Sequence, residues 1–338
     1  VTGDSSFLKE GGAEIIMEVA RFLYSRVHYA PARERYEVMR VLGPDEYHEN
    51  VDNNTFTNYQ IRFALELALQ VRQELESQEP ELLRELDRRI GITREELESW
   101  REIARRIYLH APRGEERIIE QFDGFFEHED ITPEKLKERL KDPGEYWGWP
   151  NGIAVATQVS KQADVVQLFM LHPDAYDRET MKRNWEYYEP RTQHGSSLSP
   201  SVYSITASWI GHDREAYNYF LKSGTVDLFN TNKAVSGGTF IGGIHTAACG
   251  AAWQMVTVGF AGLRATEEGF DFDPHLPESW RRVSFSLSWR GNRLAVEITP
   301  EGVEVKADGD NPGSPVIRLQ SEKSPVHPGE SVTLRRKR

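Results

Sequence analysis

The chain has 338 residues, enough for one large domain or for two of unequal size. Its 53 acidic residues outnumber 41 basic ones, giving a net charge of −12. An acidic surface repels phosphate backbones and anionic lipid headgroups, which argues against nucleic acid or a membrane as partner. Hydrophobic residues make up 38%, including eight Trp and thirteen Tyr, enough for a sizeable core with rings left over to line a cleft. Cys249 is the only cysteine; no intrachain disulfide can form, and the thiol reads as a small core residue in a reducing, cytoplasmic setting. No apolar run approaches the ~20 residues that span a bilayer. The chain starts at Val1 rather than Met, so the lack of a visible signal peptide carries no weight.

Residues 1 to about 262 read as mostly helical. Over 7–28, Ile15, Ile16, Val19, Phe22 and Leu23 recur at a spacing that gives one apolar stripe. The pattern repeats over 57–76 through Tyr59, Ile61, Phe63, Leu65, Leu67 and Leu69. A polar helix pair follows, starting at Pro80 and Thr93, and Thr93 with Glu96 has the form of a capping box. Further helices are expected over 132–140, 152–171, 177–186, 199–210, 214–223 and 244–262. Within these, 155–171 and 244–262 are apolar around much of their circumference, the mark of buried inner helices. After Gly269 the texture changes to period two: 283–289, 294–298 and 303–306 alternate apolar and polar, with turns at Arg290-Gly-Asn292 and Pro300-Glu-Gly302. Residues 316–319 and 331–334 complete about five short strands of an antiparallel domain. The chain therefore divides into a helical part, 1–268, and a β domain, 269–338.

Four segments carry chemistry. The loop Val41-Leu-Gly-Pro-Asp-Glu-Tyr-His-Glu-Asn-Val-Asp-Asn-Asn54 packs four carboxylates, a His and three Asn between two helices. Such density suits a metal site, an acid/base site or a solvated loop. No Ca²⁺-loop spacing and no second His at ligand spacing favour a metal, whereas glycosidic cleavage needs a carboxylic acid beside the leaving oxygen. Arg191-Thr-Gln-His-Gly-Ser-Ser-Leu-Ser-Pro200 leads into a helix and reads either as an anion cradle or as a Ser-rich N-cap. Lys161 and Gln162 interrupt an apolar segment; a buried Lys needs a partner such as Asp164, or else a cleft. Ser236-Gly-Gly-Thr-Phe-Ile-Gly-Gly-Ile-His-Thr-Ala-Ala248 is a Gly-rich approach to a helix, without the preceding strand of a dinucleotide site.

In this order the segments resemble glycoside hydrolase family 65, whose members include maltose, trehalose, kojibiose and nigerose phosphorylases, glucosyl-polyol phosphorylases and a few hydrolases. The resemblance rests on Gly43-Pro-Asp-Glu-Tyr-His-Glu49 with Asn53-Asn54 and Thr57-Asn58, then Lys161-Gln-Ala-Asp-Val165, His194-Gly-Ser-Ser-Leu-Ser199 and Gly243-Ile-His-Thr-Ala-Ala248. Pro274-His-Leu-Pro277 through Trp289-Arg-Gly291 is similar to the family's C-terminal domain. The resemblance implies a mainly α chain, part of an (α/α)₆ barrel followed by an antiparallel β-sandwich. It implies Glu46 as general acid, Lys161 and Gln162 holding the glucosyl unit, and His194, Ser196 and Ser197 binding inorganic phosphate, with His245 lining the same pocket. The reaction would be inverting phosphorolysis of an α-linked glucosyl disaccharide to β-glucose 1-phosphate and a free sugar or polyol, with no cofactor and no metal. Its small-molecule partners would be the disaccharide and phosphate; a homodimer is the implied assembly.

The absence of Asp and Glu from 191–199 favours phosphate over water as nucleophile, because an inverting hydrolase needs a second carboxylate. Asp45 and Glu49 are expected to keep Glu46 protonated. Two alternatives stand beside this: an inverting hydrolase of the same family, with Asp123 or Glu127 as base, and a non-catalytic carbohydrate-binding fragment. Nothing in the chain corresponds to the family's N-terminal β-sandwich or first barrel helices, so the sequence reads as the C-terminal portion of a longer protein. Trp147 and Trp149 read either as cleft residues near the acceptor or as packing.

Overall fold

Asn54 opens the longest helix because its side-chain oxygen takes the N–H of Thr57 at 2.9 Å, satisfying a first-turn donor. The structure, a computed structural model, describes residues 2–229 and 243–337, which form two compact units.

One unit comprises 5–168 and 190–193. Its helices are α1 (Ala13–Tyr24), α2 (Thr55–Gln78), α3 (Pro80–Ile90), α4 (Arg94–Arg106) and the short α5 (Pro133–Lys137), with a hairpin of β1 (Val27–Ala30) and β2 (Arg35–Val38) after α1. In α2 the buried residues Ile61, Leu65, Ala68, Val71 and Leu75 recur every three or four positions, as a core-facing stripe requires. They pack with Trp100 and Ile103 of α4 in one cluster. The stripe expected in α1 is only partly the buried one: Ile16 and Leu23 pack against the cluster. Ala13, Met17 and Ala20 are buried, whereas Ile15, Val19 and Phe22 are exposed. The helix is apolar around much of its circumference, and the face centred on Met17 packs into the cluster. Thr93 caps α4 through the N–H of Glu96 at 3.1 Å, but Glu96 does not return the bond and instead takes Arg21 at 2.8 Å.

The helix expected over 152–171 is a second correction. Only α6 (Val165–Leu171) forms. Residues 152–164 run as irregular backbone that bridges Thr157 to Glu129 and Ser160 to Thr192, with Val159 and Ala154 filling a small core beside Tyr47, Leu136 and Trp147. The apolar run was real, but it buries a loop, and periodicity cannot separate the two in a short stretch.

The other unit comprises 2–4, 169–189 and the described residues from 194 onward. It holds α7 (Arg178–Tyr188), α8 (Ser199–Ile210), α9 (Asp213–Gly224) and α10 (Thr246–Gln254), the last continuing as a π-turn over Met255–Phe260. Met255, Phe260 and Ala261 are buried as expected, but Ile244, Cys249 and Trp253 are exposed, which corrects the reading of the first half of this segment as buried and of Cys249 as a core residue. The same unit carries two four-stranded sheets. One orders β10 (Ser331–Arg335), β7 (Gly302–Ala307), β6 (Asn292–Thr299) and β5 (Val283–Trp289); the other orders β3 (Arg264–Ala265), β4 (Gly269–Phe272), β8 (Val316–Leu319) and β9 (Glu322–Pro325). The turn at Arg290 and Gly291, both at positive φ, joins β5 to β6 with Trp289 opposite Asn292, the geometry of a two-residue hairpin. Ile298, Val303 and Val305 share one core with Phe270, Ile317 and Leu319 of the other sheet. The strands are not all antiparallel: β4 and β8 run parallel, which a long connection allows and a hairpin does not.

Candidate functional site

Glu46 sits on the loop between β2 and α2, and its side chain keeps 44% exposure while its neighbours are buried. Its carboxylate pairs with the Lys161 ammonium. Gln162 donates from Nε2 to the carbonyl of Pro44 and, at 3.5 Å, to Glu46 Oε1. The Oε1 of Gln162 is buried and has no hydrogen-bond partner among the described residues. Tyr146, which no sequence signal marked, donates to the backbone oxygen of Glu46 at 2.9 Å and lays its ring 5.8 Å from Lys161 Nζ. Glu46, Lys161 and Gln162, far apart in sequence, thus meet at one point.

Asp45, next to Glu46 on the loop, is an anion whose own carboxylate is fully engaged. Its side chain is buried among donors: Tyr47 N at 3.1 Å, Lys161 N at 2.8 Å, Gln121 Nε2 at 3.0 Å and His48 Nδ1 at 2.6 Å. Burial pushes this carboxyl up, but the His48 imidazole and the two backbone N–H groups outweigh it and hold it below the usual carboxylate range. Asp164, one of the partners considered for Lys161, instead accepts from Asn54 Nδ2 at 3.1 Å and Asp45 N at 3.3 Å. Burial, with the Asp45 charge beside it, raises the Asp164 carboxyl to about 7. Gly43 is required here, because a Cβ on it would lie 2.4 Å from Asn54 Nδ2 and 2.6 Å from Asp164 Oδ2. Trp147 is buried and stacks on Tyr47 with centroids 6.2 Å apart, whereas Trp149 is 39% exposed. Asp123 accepts from Asn53 Nδ2 at 2.8 Å and faces His110 at 3.2 Å; Glu127 closes a 3₁₀ turn.

In the other unit, His194 takes a left-handed backbone (φ 56°) just before Gly195. Tyr219 donates its hydroxyl proton to Glu189 at 2.6 Å, so its oxygen receives His194 Nε2–H at 2.9 Å. The Nδ1 is then the acceptor for Ser199 Oγ at 3.0 Å. Burial, with Lys222 nearby, lowers the ring to about 3; the imidazole is a neutral brace and not a cation. Ser196 Oγ accepts from Leu198 N at 3.3 Å, and Ser197 is half-buried. No side chain caps the first turn of α8, so the Ser-rich run is not an N-cap box. His245 pairs through N and Nδ1 with Asp227 at 2.9 and 2.6 Å. The Gly-rich stretch 236–243 lies, up to residue 242, outside the described residues. Glu189, Tyr219 and Asp227 were missed because their link to the motifs is purely spatial.

The helical unit with an acid-bearing loop and the two-sheet region agree with what the sequence matches. Residues 1–254 match the central catalytic domain of glycosyl hydrolase family 65 and residues 263–334 match its C-terminal domain. The chain belongs to this family. It is 48% identical over 337 residues to a 1,2-α-glucosylglycerol phosphorylase from Bacillus selenitireducens, a match covering 99% of the chain and 44% of that protein. It is 41% identical to a kojibiose phosphorylase from Caldanaerobacter subterraneus, over 90% of the chain and 39% of the relative, and 38% identical to a nigerose phosphorylase from Lachnoclostridium phytofermentans, over 90% and 40%. A solved structure described as a putative kojibiose phosphorylase from human microbiome superposes with a TM-score of 0.84 at 26% identity, covering 100% of this chain and 48% of that one. The chain spans less than half the length of these relatives.

Proposed function

We propose that this chain contributes the acid, the sugar-holding pair and the phosphate loop of an inverting α-glucoside phosphorylase whose helical part belongs to an (α/α)₆ barrel. The observation that carries the reading is the meeting of Glu46, Lys161 and Gln162, with a buried acceptor on Gln162 left for a donor such as a sugar hydroxyl. Glu46 gives its proton to the glycosidic oxygen as the bond to the anomeric carbon breaks. A phosphate oxygen bonds to that carbon from the opposite face, so the configuration inverts and β-glucose 1-phosphate leaves with the free acceptor. Lys161 and Gln162 exchange their contacts with Glu46 for hydroxyls of the glucosyl unit, and Glu46, released from the ammonium, carries the proton it donates. Ser196 and Ser197, with first-turn N–H groups of α8, take the phosphate, and His194, held neutral, fixes the turn that presents them; His245 lines the pocket.

The activities for which the relatives are named support phosphate as nucleophile, and their range makes the acceptor either a sugar or a polyol. The test is to follow β-glucose 1-phosphate and free glucose from kojibiose, nigerose, maltose, trehalose and 2-O-α-glucosylglycerol, with and without inorganic phosphate. The full-length protein is expected to release β-glucose 1-phosphate only when phosphate is present. Equal glucose release without phosphate would make the enzyme a hydrolase and direct the search for its base to Asp123 and Glu127. Binding without turnover would leave the carbohydrate-binding reading.

A further inference from the structure

The loop of Glu46 and the loop of Lys161 are separate in sequence, yet both are tied to one buried carboxylate. Asp45 Oδ1 receives Tyr47 N at 3.1 Å, the peptide N–H that follows Glu46, and Lys161 N at 2.8 Å. Its Oδ2 faces His48 Nδ1 at 2.6 Å, and the opposite ring nitrogen of His48 meets the carbonyl of Thr157 at 2.8 Å. A carbonyl can only accept, so Nε2 carries a proton; an ionised Asp45 can only accept, so Nδ1 carries one too. The Asp45–His48 unit therefore pins the 157–161 segment at both ends, at Thr157 through the imidazolium and at Lys161 through the carboxylate. Gln121 closes the arrangement, donating to Asp45 Oδ2 at 3.0 Å and accepting from Ser160 Oγ at 3.1 Å. The His48 ring packs against Phe122 and Phe125 at 5.2 and 5.9 Å, which keeps the pair dry.

From this geometry we infer that Asp45, braced by His48, is a positioning residue that sets the distance between the Glu46 carboxyl and the Lys161 ammonium by holding both backbones on one oxygen. The inference rests on the acid role given to Glu46. Asp45 itself touches no substrate. What it controls is whether the acid stands where the leaving oxygen will be, and a small displacement there lowers proton transfer steeply.

A substrate that needs no acid separates this role from a general loss of structure. A nitrophenyl α-glucoside leaves as a stable phenolate, whereas a disaccharide needs its leaving oxygen protonated. In the full-length protein, kcat at saturating sugar and phosphate is measured on both substrates. Asp45→Ala is expected to lose on the order of 10²-fold on the disaccharide and only a few-fold on the nitrophenyl glucoside. Asp45→Asn, whose amide oxygen still accepts from Tyr47 and Lys161 and whose Nδ2 can donate to a neutral His48 Nδ1, is expected to recover most of the disaccharide rate. If Asp45→Ala leaves an unpaired imidazolium and fails to fold, Asp45→Ala/His48→Leu removes both charges and carries the same expectation. Equal losses on the two substrates, or none on either, overturn the inference. Glu46→Gln run in parallel keeps the two ideas apart: if it retains disaccharide turnover, the acid assignment fails; if it shows the substrate-selective loss and Asp45→Ala does not, only the positioning role fails.

Discussion

Three side chains show how burial decides what a titratable group can do. Glu46 keeps a partly exposed carboxylate next to the buried, fully engaged Asp45, and Glu46→Gln is expected to cut disaccharide kcat to below about 1% while the thermal melt stays close to that of the parent. His194 behaves differently. Its folded value of about 3 lies below the ordinary value of 6.5, so between these limits the unfolded chain binds a proton that the folded one refuses. Stability from this group is complete above pH 6.5 and declines as pH falls toward 3. Melting curves from pH 7 to pH 4 should flatten in His194→Gln relative to the parent. Asp164 has the opposite sign. Raised to about 7 from 3.8, it holds its proton when the unfolded chain has released it, so its contribution is present at low pH and disappears as pH rises through 7. Asp164→Asn is expected to raise the melting temperature at pH 8 and to gain little at pH 5; a gain that does not depend on pH would contradict the assignment.

Elements begin and end where local chemistry satisfies their free backbone groups. The Thr93 hydroxyl caps α4 without the reciprocal Glu96 bond, since Glu96 is drawn to Arg21. Thr93→Ala should therefore cost about 1 kcal/mol, read as a shift of the urea midpoint with unchanged slope. The loop carrying Glu46 depends on close approach: Gly43→Ala drives a methyl into Asn54 and Asp164, and its expected outcome is a lower melting temperature together with a loss of turnover. Preserved activity in that variant would mean the loop has slack that the contacts do not suggest. The segment 152–164 illustrates the other limit. Its apolar residues were legible, but whether they sat on a helix or in a buried loop depended on partners at 129 and 191–192 that no local window contains.

At the scale of the molecule, each unit has its own core, one around Leu65 and Trp100, the other around Ile298, Val305 and Ile317. Truncating Ile298 to Ala should cost about 2–5 kcal/mol in the unit that carries the sheets, seen as an earlier unfolding transition by circular dichroism. No helix among the described residues is long and apolar enough to cross a membrane.

The sequence by itself determined the family, the order of the chemical segments, most helix positions and five of the six strands after residue 280, because caps, turns and short periodicities are written in neighbouring residues. The period-two pattern could not reveal β3, β4 and β9, which are only two to four residues long, nor the long-range parallel pairing of β4 with β8. Only the tertiary structure decided that Lys161 answers Glu46 and not Asp164, that His194 is a neutral brace, and that Asp45 joins two loops through one oxygen. Those outcomes depend on desolvation and on which donors reach a buried carboxylate, quantities that exist only once distant parts of the chain have packed together.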